Sequence, residues 1–257
     1  DHRATIPALH NRIVEAADGL PVHAPPAAPE VIGTPAGPSQ LPAGLQKVIA
    51  GMQARHPELE PVVPDLVRAF RAIAASLKTG GTVFLCGNGG SMADALHISG
   101  EMLKSYAHPR TLDPALRRRI ERGPDGERLI RNLEPGLRAV VLGVNASLAS
   151  AVSNDMPDRD MGAAQELLAL GKPGDILLGI STSGNARNVV YSAEAASALD
   201  MTVIAMTGED GGKLAEAADI PLRAPAGRTD RAQEQHVCLY HALCEMLELH
   251  FFDGGEK

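Results

Sequence analysis

TVFLCGNGGSMADALHISGEML, residues 82–103, opens as a compact apolar run, turns through a glycine-rich loop and continues at helical spacing. A short apolar strand that passes through glycines into a helix is the first half of a parallel β–α–β unit. Three further runs repeat the rhythm: RAVVLG at 138–143, DILLGI at 175–180 and MTVIAMTG at 201–208, each with a long helical stretch behind it. Apolar runs of this kind, alternating with helices, belong to a parallel sheet covered on both faces. The expected fold is α/β, a three-layer sandwich built on a parallel sheet.

Outward from this centre, Leu45, Val48, Ile49 and Met52, then Leu66, Val67, Phe70, Ile73 and Leu77, recur at helical spacing, so two amphipathic helices precede the first strand. At the other end, Val237, Tyr240, Cys244, Leu247 and Phe251 mark a long helix over Arg231 to Phe252. Residues 1–43 include a Pro/Ala-rich stretch with too few large apolar side chains to pack, and they read as a flexible tail or linker before a single domain at 44–257. An insertion at 107–137 is bounded by prolines and broken by Gly123-Pro124-Asp125-Gly126, which predicts two short helices joined by a turn. Its Arg117, Arg118, Arg119 and Arg122 read as a solvated face whose charges pair with Asp113, Glu121 and neighbouring subunits.

Composition narrows the function. Of 257 residues, 44% are hydrophobic and 21% charged, ordinary values for a chain with a packed core. Lys and Arg number 24 against 31 Asp and Glu, a net charge of −7, which argues against coating nucleic acid or an anionic membrane. Aromatic residues are only 3%, so stacking surfaces for single-stranded nucleic acid are scarce, and small-molecule chemistry is favoured. Cys86, Cys238 and Cys244 sit in apolar runs and read as reduced core thiols. With no segment long enough to cross a bilayer and no signal pattern, the expected location is cytoplasmic.

Two loops carry the chemistry. Ligands of open α/β sheets collect at the carboxyl ends of strands, where loops lead into helix N-termini. Asn88, Gly89, Gly90 and Ser91 follow the first run, and this loop lets backbone approach an anion closely without being a Walker A motif. Ser181, Thr182 and Ser183 follow the third run and offer three hydroxyls to phosphate oxygens. On the helix after the first loop, His97 and Glu101 are spaced i, i+4, which puts them on one side; the carboxylate there is a candidate general base or metal ligand. Gln233, Val237 and His241 form a second stripe on the C-terminal helix, while His236 and His250 read as hydrogen-bonded core histidines.

GNGGSMADALHISGEML, GDILLGISTSGN, VIAMTGEDGGKL and DRAQEQHVCLYHALCEMLE, in that order, resemble the sugar isomerase (SIS) domain proteins of the phosphoheptose isomerase type, over roughly Leu45 to Phe252. The resemblance implies a five-stranded parallel sheet, doubly wound in the flavodoxin-like manner, and a homotetramer with shared active sites. It also implies interconversion of sedoheptulose 7-phosphate and D-glycero-D-manno-heptose 7-phosphate. The family's catalytic glutamate and histidine fall on Glu101 and His241. Zinc, carried by several members, falls on His97, Glu101, Gln233 and His241, and Asn88 and Asp230 fall on polar positions lining the site, with Asn145 a further candidate contact.

The chain departs from the pattern in places. Ala186 and Arg187 stand where a phosphate-binding hydroxyl is usual, with Arg187 a candidate substitute, and Asn145 begins a loop that often carries aspartate. Two other readings accompany the isomerase: a non-catalytic module that senses a sugar phosphate or docks a partner protein, and a lyase or etherase on an amino-sugar phosphate. A pure binding module has no chemical reason to keep Glu101, Gln233 and His241 together.

Overall fold

The structure, a computed structural model, describes residues 40–252. Most of the tail expected at 1–43 lies outside the described residues, although Leu41 is already buried. The two predicted leading helices are α1 (Ala43–Arg55) and α2 (Val63–Lys78), joined by a 3-10 turn. Five strands follow: β1 (Val83–Cys86), β2 (Ala139–Val141), β3 (Ile176–Ser181), β4 (Thr202–Thr207) and β5 (Ile220–Arg223). Between them lie α3 (Gly90–Leu103), α4 (Pro114–Glu121), α5 (Gly126–Asn132), α6 (Ala146–Asp155), α7 (Gly162–Leu170), α8 (Arg187–Ala198) and α9 (Gly212–Glu216). The long α10 (Thr229–Phe252) closes the described chain. Among the described residues, no helix is long and apolar enough to cross a membrane.

All strand pairs are parallel, in the order β2-β1-β3-β4-β5. Alternate residues of each strand feed opposite layers, as the pleat requires. Val83, Leu85, Leu178 and Ile204 pack into a core with α1, α2, α3 and α10. Phe84, Cys86, Leu177 and Val203 pack on the other side with Leu167, Val189 and Leu214 from α7, α8 and α9. Both sides are apolar, which is why the strands read as unbroken runs. The edge strand β5 escaped that reading because Pro221 interrupts it; proline lacks a donor and is tolerated at a sheet edge.

Strand order decides where a ligand can sit. From β1 the chain leaves for the β2 edge, and from β3 it leaves toward β4, so the helices diverge and a crevice opens above the β1–β3 pair. The two loops singled out in the sequence follow β1 and β3. The 107–137 insertion, with α4 and α5 as its two short helices, leaves the far end of α3. Asp113 caps α4 by accepting from the N–H groups of Ala115 and Leu116.

Candidate active site

The first loop is shaped by contact with α10. A Cβ on Gly90 would overlap the side-chain amide of Gln233, so glycine is what lets Gln233 lie against the loop. Gly89 caps α3, and Ser91, buried in its first turn, is fixed through its N–H to Asn88 O at 3.0 Å. The Asn88 side chain exchanges amide hydrogen bonds with Asn188 of α8, at 2.8 and 2.9 Å, which ties the two loops together across the crevice.

The second loop folds back on itself. Ser181 is buried at the end of β3, Thr182 is half-buried, and Ser183 is exposed, its Oγ accepting from the Asn185 N–H at 3.2 Å. Gly184 has φ of +64°, and a Cβ there would overlap the carbonyl oxygen of Gly211. Gly184→Ala therefore meets both a left-handed backbone and a neighbouring main chain, and it is expected to lower stability by more than about 1 kcal/mol in urea unfolding. Arg187 does not serve this loop. It turns away to Asp158 and to Asp160 (3.2 Å), so it does not stand in for the hydroxyl missing at Ala186.

The C-terminal half of α3 and the middle of α10 hold the titratable centre. His97 Nε2 and His241 Nε2 each lie 3.2 Å from Glu101 Oε1. The three side chains place one donor atom each within 4.8 Å of one another, a group able to hold a metal ion. Glu101 is 8% exposed and its Oε2 is buried without a hydrogen-bond partner among the described residues. Burial pushes its carboxyl above the ordinary range, Glu248 adds to the rise, and Cys244 and His97 oppose it. Burial, then the charge of His97, holds His241 below the usual imidazole value, so its ring is neutral at pH 7. Tyr106 stacks on His241, and a cavity of about 170 Å³ opens beside that ring, lined in part by Arg55, His56, Cys238 and Glu245.

Two other predicted site residues have local partners. Asn145 caps α6 by accepting from the Leu148 N–H at 3.1 Å, and Asp230, exposed on the first turn of α10, is paired with Arg228 at 2.8 Å. His236 is a buried core histidine bonded to Thr207 O at 3.0 Å, as its sequence context implied. His250 differs from that expectation: it is exposed at the end of α10, edge-on against Phe70. Cys86 and Cys244 are buried, and burial pushes the Cys86 thiol up to about 12; Cys238 is only half-buried and touches His56 Nε2 at 3.2 Å.

Sequence reasoning missed Asp94, Tyr240, Arg110 and Glu248. The first two were legible in principle, since Asp94 precedes His97 by one turn and Tyr240 adjoins His241. Arg110 and Glu248 form a pair whose side chains are 1% and 0% exposed, and neither residue shows its partner locally.

Parallel strand order, paired loops at the reversal point and an acid–imidazole centre define an α/β protein of the open-sheet class with loops suited to an anionic ligand. A family profile described as the SIS domain matches residues 59–121 and 128–208, and the chain belongs to that family. Within the family it is similar to the phosphoheptose isomerase of Halorhodospira halophila, 37% identical over 206 residues, spanning 79% of this chain and 91% of the relative. That of Alteromonas mediterranea is 37% identical over 202 residues, 76% of this chain and 89% of the relative. Among solved structures, the phosphoheptose isomerase of Neisseria gonorrhoeae is 34% identical with a TM-score of 0.61, covering 79% of this chain and 98% of the other. That of Francisella tularensis is 30% identical with a TM-score of 0.62, covering 78% and 94%.

Proposed function

We propose that the chain is an aldose–ketose isomerase that interconverts sedoheptulose 7-phosphate and D-glycero-D-manno-heptose 7-phosphate. The observation that carries this reading is the meeting of Glu101 from α3 with His241 from α10, in a chain whose two loops after β1 and β3 suit a phosphate monoester. Moving a carbonyl between C1 and C2 takes a proton from one carbon, passes through a cis-enediol and returns a proton to the other. Glu101 is the base for the carbon-bound proton. Its raised carboxyl value brings it nearer the strength this step needs. His241, neutral and half-buried, exchanges the proton of the sugar oxygens. Ser91, Ser181, Thr182 and Ser183 hold the phosphate with the helix N-termini behind them, and Asn88, Gly89, Gly90, Asn145, Asp230 and Gln233 line the site.

The His97, Glu101 and His241 donors suit zinc, with Gln233 as a fourth ligand: two imidazoles and a carboxylate converge, and one carboxylate oxygen is buried and unpartnered. Zinc at this place would polarise the carbonyl and hydroxyl oxygens of the sugar. The same proposal includes a homotetramer with shared active sites in the cytoplasm. Leu96 and Leu103, one heptad apart on α3, are 50% and 53% exposed beside the half-open His97, which supports a covering subunit. Light scattering tests the assembly.

Following ketose-to-aldose conversion of sedoheptulose 7-phosphate tests the activity. No turnover in the intact, zinc-loaded protein would favour the sensing module instead. Gly90→Ala adds a sharper expectation. The new Cβ displaces the Gln233 amide, so kcat/KM is expected to fall by about 10²-fold through misplacement, with the thermal midpoint unchanged.

A further inference from the structure

A cavity of about 310 Å³ opens where the chain leaves β1 and β2. Cys86 and Leu142 give its wall an apolar part, and the side-chain amides of Asn88 and Asn188 give it a polar one. Asn88 belongs to the first loop, and Asn188 lies in the first turn of α8, the helix that the second loop enters. Each of these amides donates one N–H to the other, so each keeps a second N–H for a ligand. Arg159 is the only cation among the described residues on this wall.

The backbone of Arg159 is fastened while its side chain is left over. It opens the 3-10 turn Arg159–Met161, which Asp158 caps by accepting from the Asp160 N–H at 3.0 Å. The first partners open to an exposed arginine are the acids beside it in the chain. Here Asp158 and Asp160 are both engaged by Arg187 from α8. Arg159 is exposed at the cavity and makes no hydrogen bond or ion pair with any other described residue. Arg187, in turning away from the Ser181 loop, thus occupies the counter-charges and frees a second guanidinium.

That leftover charge answers a need. The two loops offer hydroxyls and backbone N–H groups but no full positive charge, in a chain of net charge −7. A guanidinium presents planar N–H donors that match two oxygens of one anion at once. We propose that Arg159 is a substrate-binding residue: with the Asn88 and Asn188 amides it forms an oxyanion site in this cavity, and the oxyanion is the phosphate monoester of the substrate. The identity of the oxyanion rests on the isomerase reading above; the site itself does not.

The test is binding of inorganic phosphate to the full chain by isothermal titration calorimetry at low ionic strength, alongside steady-state kinetics on sedoheptulose 7-phosphate. The intact chain is expected to bind phosphate. Arg159→Ala is expected to weaken that binding by about 10–100-fold and to raise KM in the same proportion, with kcat changed by less than about threefold. The thermal midpoint should stay unchanged, because the side chain packs against nothing that the fold depends on. Arg159→Lys keeps the charge, loses the fork and is expected to recover part of both losses. Unchanged phosphate affinity in Arg159→Ala overturns the inference whatever KM does, and so does an intact chain that binds no phosphate. Phosphate binding that depends on Arg159, in a chain that does not turn over sedoheptulose 7-phosphate, supports the site and removes the isomerase reading alone.

Discussion

Glu101→Gln is expected to lower kcat by about 10²–10⁴-fold, the range associated with loss of a positioned acid–base group. The substitution keeps the size and planarity of the side chain, so the packing against Cys244 and the two imidazoles survives. On the proposed mechanism, what disappears is the ability of the carboxylate to take a carbon-bound proton. The proposed mechanism anchors the substrate through the two loops above β1 and β3, so KM is expected to change little while kcat collapses. That split matters, because a general disturbance of the crevice would move both. His241→Ala is expected to lower kcat as well, and the double variant should lose less than the product of the single losses, because the two groups act together in one isomerisation. Steady-state kinetics on sedoheptulose 7-phosphate measures all three, and near wild-type turnover in Glu101→Gln contradicts the role.

The second large effect concerns stability. Arg110 donates to Glu248 Oε1 at 2.8 Å and to the carbonyls of Glu101 (2.6 Å) and Met102 (2.7 Å), which closes the C-terminal end of α3. Glu248 in turn accepts from the N–H groups of Tyr106, Ala107 and His108 at 2.7–2.9 Å. One buried ion pair therefore fastens α3, the root of the insertion and α10 together. Glu248→Ala leaves a buried guanidinium without its counter-charge and three N–H groups without an acceptor. A loss of about 3–5 kcal/mol is expected in urea unfolding.

The pH dependence of this pair has a definite sign. Burial works to raise the Glu248 carboxyl, but the three N–H groups and Arg110 outweigh it and hold the folded value below the ordinary 4.5. A depressed carboxylate contributes stability that is present above its unfolded value and lost as pH falls through the folded one. Wild-type stability should therefore drop below about pH 4.5, and Glu248→Gln, with no proton to gain, should show a shallower acid limb in the same unfolding series.

The sequence made the frame legible where local physics and global fold agree. Four strands announced themselves because both faces of the sheet are covered, which makes each an unbroken apolar run. Pro221 concealed the fifth, although its edge position makes proline acceptable there. Proline and glycine punctuation disclosed the two helices of the insertion, but not that Arg110 at its root turns inward, because a buried cation looks like a surface one until its partner is located. His97 and Glu101 were joined by helical spacing alone. The meeting with His241 came from the resemblance, since no local pattern links α3 to α10. Tyr240 read as a core aromatic, and its hydroxyl met a partner only when α10 brought it to His97 Nδ1. Arg187 misled because the loop sequence cannot show the competing acidic pair Asp158 and Asp160.

The central claim is that one carboxylate and one imidazole, converging beside a held sugar phosphate, move a proton between neighbouring carbons. Running the conversion of sedoheptulose 7-phosphate in D2O and reading the aldose by NMR tests it most directly. Proton transfer through an enediol predicts deuterium at C2 of the product, formed by the wild-type chain and lost with turnover in Glu101→Gln. Aldose formed equally well by Glu101→Gln would contradict the account.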